Sequence, residues 1–427
     1  MRINVFEQGT LEVLATRPPG PSGISLDAAT AIVDAGLSMG ARLATWDSPD
    51  QLRFHQFVGL VVVEDLQVEV LPKVDGWATT GRAREALLRM LVIAHDLDVM
   101  ASDMAACVAQ EEPVLASLAR IYLLKLAEAL RRGLRQEYKA HEDQLPRVRG
   151  KIDWATQLRL EITHVPGFAC RFDDRSEDTP LNRTFKAALR VAERILAGDG
   201  LGPLRLEVRH AMEGVTETRM TACQVAAVHL DRMSYHLGPL LTLAKLLLGQ
   251  ANPEFSEPHG PRSKTFAFIW DMNTLFETYV AKVAKATLEP AGVTVLTQAQ
   301  AGLYLGVFAD SGKGAFALRP DLLFHGPGVG TVILDTKWKR LDPFIPNCGV
   351  SPADVYQVNA YAQRFEADTV VLVYPHAHGY GSPGVRVRYL VHRPGKNPLE
   401  VLIFTVDLAD LERVPMQLAR LVAVSVA

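Results

Sequence analysis

Two apolar runs separated by a cluster of glycine and proline constrain the local fold of residues 319–341, RPDLLFHGPGVGTVILDTKWKRL. Leu322-Leu323-Phe324 and Thr331-Val332-Ile333-Leu334 suit strands, and the Gly/Pro stretch 326–330 supplies the turn between them. A hairpin centred on Gly328 sets Leu322 opposite Leu334, Phe324 opposite Val332 and Asp321 opposite Asp335. Period-2 alternation then puts Lys337 on the face that carries Asp335. Burying a carboxylate without a partner is costly. Stability therefore does not explain two aspartates at the end of an apolar hairpin.

Two carboxylates a few ångströms apart repel unless a cation lies between them, and hard oxygen ligands suit Mg²⁺ or Mn²⁺. An ion held by Asp321, Asp335 and the Thr336 carbonyl would lower the pKa of a bound water and polarise a scissile phosphate. Lys337 could then orient or help deprotonate that water and offset charge developing on the phosphorane-like transition state. Ordinary solvent-exposed charges at a hairpin end would give the same spacing, so this segment alone leaves both readings open. Its neighbours narrow the choice. Glu277 lies in the preceding helical run beside Asn273, Val280 and Ala284, where its carboxylate could reach the sheet and give a further metal contact. Gln357 lies early in the following helical run, with Tyr361 and Arg364 on its face.

The 427-residue chain reads as three parts. Residues 1–80 form a small β-rich module, with RINVFEQ as one strand and VGLVVVEDLQVEVLPKV as a hairpin turning at Glu64-Asp65. In that hairpin Val68, Val70 and Pro72 alternate with Gln67, Glu69 and Leu71, a half-buried pattern. Residues 81–250 are mostly helical. Leu115, Leu118, Ile121, Tyr122, Leu126 and Leu130 make one bundle-core stripe, Thr179 and Pro180 open a further helix, and 220–249 read as one long helical pattern. The polar, Pro-rich loop 250–265 is the candidate boundary. Residues 251–427 then alternate helix and strand, an α/β domain with a mixed sheet flanked by helices. FAFIWDMNTLFETYVAKVAKATLEPAG is its first helix, and Ser351, Pro352 and Asp354 open another with a variant of the capping box. TVVLVYP, VRVRYLVHR and EVLIFTVDL supply strands.

A formal net charge of −3 gives no overall basic field, so contact with DNA would need local clusters of Lys and Arg. The basic RVRGKIDW is either such a cluster or a polar segment between domains, and Lys339 and Arg340 are candidate contacts to a DNA backbone. His376 and His378 in PHAHGYG read as a solvated turn rather than a metal site. Four widely spaced cysteines without a CxxC pair fit a reducing, cytoplasmic setting, and no leader-like or membrane-spanning run occurs. No G-x-x-x-x-G-K-[ST] loop occurs either, so the chain alone is not expected to bind or hydrolyse nucleotides.

With RPD at 319–321 and DTK at 335–337, flanked by helical Glu277 and Gln357, the chain resembles the PD-(D/E)xK nuclease superfamily. DMNTLFETYV, RPDLLF, DTKWK and DVYQVNAYA, together with VGLVVVEDLQVEVLPKV, RVRGKIDW and EDTPLNRTFKAAL, are similar to the McrC family. Its members are the nuclease subunits of McrBC-type modification-dependent restriction systems. The resemblance implies a restriction-endonuclease-like α/β fold for 266–427 and a catalytic core of Asp321, Asp335 and Lys337, with Glu277 and Gln357 in support. It also implies Mg²⁺ as cofactor, double-stranded and methylcytosine-modified DNA as substrate, and a McrB-like AAA+ GTPase hexamer engaged by the N-terminal module. A motor subunit would read the modified base. Two other readings are a non-catalytic assembly factor that activates an AAA+ ring, and a two-carboxylate glycosidase. The intact Asp/Asp/Lys trio speaks against the first, and an aromatic content of 7% against the second.

Overall fold

A computed structural model describes residues 1–14, 23–74, 79–109, 111–196, 201–250, 265–297, 303–326, 330–377, 381–395 and 397–425. Residues 251–264 of the expected boundary loop, together with Gly328 and His378, lie outside the described residues. The chain divides into two compact units, Met1–Leu115 with Glu254–Ala427, and Ala116–Pro253. The N-terminal module and the C-terminal domain read from the sequence thus belong to one unit.

That unit begins with β1 (Arg2–Phe6), β2 (Thr10–Leu14), β3 (Gly23–Ser25), α1 (Leu26–Ser38), β4 (Ala44–Ser48), β5 (Gln51–Phe54), β6 (Phe57–Val63), β7 (Leu66–Leu71), α2 (Thr80–Ala94) and α3 (Ala101–Ala109). One sheet has the order β3-β2-β5-β4. Its apolar face and that of a second sheet share a core with α1, including Leu11, Ile32, Leu52, Phe54, Val61 and Val68. The hairpin about Glu64-Asp65 forms as the alternation requires, with Val63 opposite Leu66. Glu69, expected on a half-buried strand, is instead 2% exposed. Its carboxylate accepts Arg84 Nε at 2.8 Å and the Val114 backbone N–H at 3.0 Å. A charge can be buried there because both of its oxygens find donors.

The second unit contains most of α4 (Val114–Arg131), then β8 (Glu137–Leu145), β9 (Lys151–Ile152), α5 (Trp154–Ile162), β10 (Phe168–Ser176), α6 (Pro180–Ile195), α7 (Gly202–Ala211), α8 (Ala222–Ala226) and α9 (Gly238–Gln250). Tyr122 of α4 is fully buried and donates to the Phe185 carbonyl of α6 at 2.7 Å. A sheet of order β8-β10-β9 interrupts the expected helical run. EYKAHEDQL carries almost no apolar alternation because β8 is exposed along nearly its whole length. The helix expected over 220–249 is broken: Asp231 Oδ1 accepts the Ser234 N–H at 2.8 Å, while Ser234 Oγ accepts the Asp231 N–H at 3.0 Å. Such reciprocal side-chain bonds compete with helical ones.

The first unit resumes with β11 (Thr265–Asp271), α10 (Met272–Leu288), β12 (Thr294–Thr297), β13 (Tyr304–Val307), β14 (Gly314–Ala317), β15 (Leu322–Gly326), β16 (Gly330–Thr336), α11 (Pro352–Phe365), β17 (Thr369–Pro375), β18 (Gly384–Val391), β19 (Leu399–Val406) and α12 (Val414–Ser425). β11 is a correction, since FAFIW was expected to begin a helix of the C-terminal domain. It completes the order β1-β7-β6-β11, pairing antiparallel with β6 from Thr265 opposite Val63 to Asp271 opposite Phe57. The approach is close enough that a Cβ on Gly59, at φ +139°, would stand 1.9 Å from the Phe268 carbonyl oxygen. Helix starts only at Met272, where the Asp271 carboxylate caps the Asn273 N–H at 2.7 Å.

A six-stranded sheet, β12-β15-β16-β17-β19-β18, carries the candidate site. β16, β17 and β19 run parallel at its centre and the outer pairings are antiparallel. Leu323, Ile333, Val370, Leu372 and Ile403 pack with Val358, Tyr361 and Ala362 of α11. The alternate set Leu322, Leu334, Val371, Val373 and Leu402 is buried too, so both faces of these strands are covered, as parallel strands require.

Candidate active site

Strands β15 and β16 adopt the register that the alternation demands, with Leu322 opposite Leu334, Leu323 opposite Ile333 and Phe324 opposite Val332. Asp335 and Thr336 end β16, beside Leu372 and Val373 of the parallel neighbour. In an open α/β sheet this carboxyl end of the central strands is where ligand sites form. Asp321 stops just short of β15 and folds across the hairpin end. Its Oδ2 accepts both the backbone N–H and the hydroxyl of Thr336, each at 2.7 Å. In an extended strand the N–H and C=O of one residue leave on the same edge, so the Thr336 carbonyl is directed to the Asp321 side.

Alternation along β16 sends Ile333, Asp335 and Lys337 to the face covered by α11, since Ile333 packs there. Asp335 is 1% exposed and its Oδ2 lies 2.6 Å from Lys337 Nζ. The contact is a buried, charge-assisted ion pair, and Lys337 is the only donor shown for that oxygen among the described residues. Burial, followed by the neighbouring Asp321 carboxylate, pushes the Asp335 carboxyl up to about 6 against the pull of Lys337. Burial likewise raises Asp321, opposed by its bonds from Thr336. For Lys337 burial favours the neutral amine, but Asp335, Asp354 and Asp321 together outweigh it and raise the pKa.

Helix α11 aims the lysine. Lys337 Nζ donates to Gln357 Oε1 at 3.0 Å, Gln357 Nε2 donates to the Tyr361 hydroxyl at 2.8 Å, and that hydroxyl donates to the Arg319 carbonyl at 3.3 Å. The relay begins and ends on the two arms of the hairpin. Two acids, one ammonium and an oriented amide are thus gathered at one strand end, an arrangement with hard oxygens for a cation and a positive group for an anionic ligand.

Several residues stand where the sequence did not suggest. Glu277 is half-buried on α10. Among the described residues no group of three or more His, Cys, Asp or Glu side chains is disposed to hold a metal ion, so Glu277 does not join the aspartates as a preformed third ligand. Asp354, read as part of a capping box, makes no cap: Ser351 has no side-chain cap bond, and Asp354 turns inward, 6% exposed. It accepts Lys339 Nζ at 3.0 and 2.9 Å and the Tyr374 hydroxyl at 3.3 Å. Lys339, expected as a DNA contact, is thereby held by an inward-facing acid. His376 is buried rather than solvated, with Nε2 bonded to the Gly381 carbonyl at 2.9 Å and Nδ1 to Thr405 Oγ1 at 3.1 Å. In the second unit the basic segment is offset by an acid at Arg149. Arg149 lies 4.2 Å over the Phe172 ring and pairs with Asp174, and Arg171, opposite Lys151, pairs with Glu142 and Asp153.

Fold and site together define an α/β protein with an acidic pair and a lysine at the carboxyl end of a central strand. The sequence matches the McrBC 5-methylcytosine restriction system component family over residues 52–375, and the chain belongs to that family. Its fold is similar to a chain in the refined half-complex from a tetradecameric assembly of Thermococcus gammatolerans McrB AAA+ hexamers with bound McrC. That likeness has a TM-score of 0.72 at 19% identity and covers 99% of this chain and 99% of the other. A match to the cryo-EM structure of the Thermococcus gammatolerans McrBC complex has a TM-score of 0.49 at 21% identity, covering 67% of this chain and 88% of the other. Among curated proteins there is no match. No helix among the described residues is long and apolar enough to cross a membrane.

Proposed function

We propose that this chain is a McrC-type endonuclease subunit of the PD-(D/E)xK superfamily, cleaving modified double-stranded DNA in the cytoplasm together with a McrB-like AAA+ GTPase. The observation that carries the reading is the grouping of half-buried Asp321 and buried Asp335 with Lys337 at the end of β16 in a chain of the McrBC family. Partner and substrate rest on that family and on the likeness to a structure of McrB hexamers with bound McrC.

The donor set fits Mg²⁺. Asp335 offers a buried carboxylate whose charge is met only in part by Lys337, Asp321 is a second hard donor, and the Thr336 carbonyl is directed to the same edge. Bound there, Mg²⁺ would supply Lewis acidity toward a scissile phosphate and its attacking water. Asp321 and Asp335 would hold the cation, and Glu277 is retained as a supporting acid on α10. Lys337 Nζ, steadied by Gln357, would place its positive charge against the oxygens that gain negative charge as the phosphorus adds a fifth ligand.

Asp335→Asn tests the reading. The variant should lose DNA cleavage in Mg²⁺ yet still raise GTP turnover by the partner. Cleavage at wild-type rate would remove the nuclease assignment from this site and leave the role of a non-catalytic ring activator.

A further inference from the structure

Glu7 follows β1 and is remote in sequence from the candidate centre, yet its carboxylate reaches the residue next to Lys337. The Trp338 indole N–H donates to both oxygens of Glu7, at 2.9 and 3.0 Å. Glu7 is 2% exposed and is itself fixed twice to the N-terminal sheet: its N–H donates to the Leu71 carbonyl at 2.8 Å, and Oε1 accepts the Lys73 N–H at 2.9 Å. Trp338 sits at the centre of a tight turn in which the Lys339 N–H returns to the Lys337 carbonyl at 2.9 Å. One residue earlier, the Lys337 N–H extends the ladder to the Val373 carbonyl at 2.8 Å. The other side of the indole meets Phe276 of α10, ring centroids 5.3 Å apart, adjacent to Glu277.

We infer that Glu7 is a positioning residue: through Trp338 it sets where the chain turns after β16, and so where Lys337 stands against Asp335. Glu7 and Trp338 line a cavity of about 350 Å³ with Lys73, Arg340 and His376, so on that side the indole meets open space. A hydrogen bond, rather than packing, fixes its rotation there. The contact ties the N-terminal sheet to the strand end, and the same ring touches the helix bearing Glu277. As a statement about catalysis, this rests on the nuclease reading above.

The test uses full-length protein in four forms, wild type, Trp338→Phe, Glu7→Ala and Glu7→Gln. Two readouts are taken: hydrogen exchange of the peptide spanning 335–340, and single-turnover cleavage of modified DNA with the AAA+ partner and Mg²⁺. Trp338→Phe keeps an aromatic ring against Phe276 while losing the N–H and part of the ring area, so it carries the test should Glu7→Ala fail to fold, and the Glu7 variants separate the lost hydrogen bond from the lost area. Expected are faster exchange of 335–340 in Trp338→Phe and Glu7→Ala, and a maximal rate constant lower on the order of 10- to 100-fold with unchanged half-saturating DNA. Glu7→Gln, which keeps an acceptor, should restore both to within about threefold of wild type. Unaltered exchange in the two loss variants overturns the inference whatever the cleavage shows. Faster exchange with undiminished cleavage overturns it as well. Absence of cleavage by wild type with its partner would instead refute the nuclease reading, and exchange alone would then decide whether Glu7 positions the strand end.

Discussion

The ammonium of Lys337 lies 2.6 Å from Asp335 Oδ2 while donating to Gln357 Oε1 at 3.0 Å. A compact charge thus occupies a point between a buried acid and an amide that is itself held by Tyr361. Arginine keeps the charge but spreads it over a larger planar group that does not readily release a proton. Lys337→Arg is expected to lose nearly as much single-turnover cleavage as Lys337→Ala, on the order of 10²-fold. An arginine variant within about threefold of wild type would reduce Lys337 to a general phosphate contact.

Replacing the buried one of two repelling acids should not weaken the fold. Asp335→Asn is expected to leave the melting temperature in metal-free buffer equal to or above that of wild type, because the cost of burying a charge there and, after it, the repulsion with Asp321 disappear. Wild type should melt higher when Mg²⁺ is added and the variant should not, since the stabilisation follows from binding to the native state. An equal response of both proteins to Mg²⁺ would place the cation elsewhere.

Glu7 gives a pH signature of stability. Burial pushes its carboxyl from 4.5 up to about 7, against the hydrogen bonds from Lys73 and Trp338. Between those values the folded state holds a proton that the unfolded chain releases, so this residue's contribution is most favourable below about 4.5. It declines as pH rises to about 7 and is flat above. Glu7→Gln, which cannot ionise, is expected to unfold at higher urea than wild type at pH 8, by about 1–3 kcal/mol, with the gap closing toward pH 5. A variant weaker than wild type at pH 8 would mean that the hydrogen bonds to the charged form dominate.

Lys339→Met separates structure from DNA contact. It leaves Asp354 with the Tyr374 hydroxyl alone in a buried setting. Half of the lysine side chain is exposed, so the loss should be about 2 kcal/mol, below the range for fully buried pairs. Urea denaturation measures it, and adding Asp354→Asn should recover much of it. Binding to the DNA substrate, followed by fluorescence anisotropy, should change little.

The hairpin end was legible because period-2 alternation is a local rule: once Leu322 pairs with Leu334, the placements of Asp335 and Lys337 follow. Gln357 could be found because one helical turn fixes its face relative to Tyr361. Asp354 could not, since an acid at the third position of a helix looks the same whether it caps or turns inward, and the choice depends on Lys339 in the turn after β16 and Tyr374 of β17. Glu69 and Glu7 were hidden for a related reason: on an alternating strand or just beyond one, a glutamate reads as solvent-facing until its donors are known. The Glu7 donor is 331 residues away. β11 was misread because an apolar run before a strong helix carries no mark of where the helix begins, beyond the single capping aspartate.

Strand β11 also sets an order of events during synthesis. The sheet that begins at Arg2 lacks its edge until Asp271 has left the ribosome, and all of 116–253 is made in between. β6, buried along most of its length in the finished molecule, must wait with one hydrogen-bonding edge open while a separate unit takes shape behind it. An exposed edge of that kind invites pairing with other chains. Fragments ending near residue 80, or starting at 266, would carry that open edge permanently and should aggregate, whereas a chain broken within the second unit and supplied as two overlapping pieces could still close the sheet.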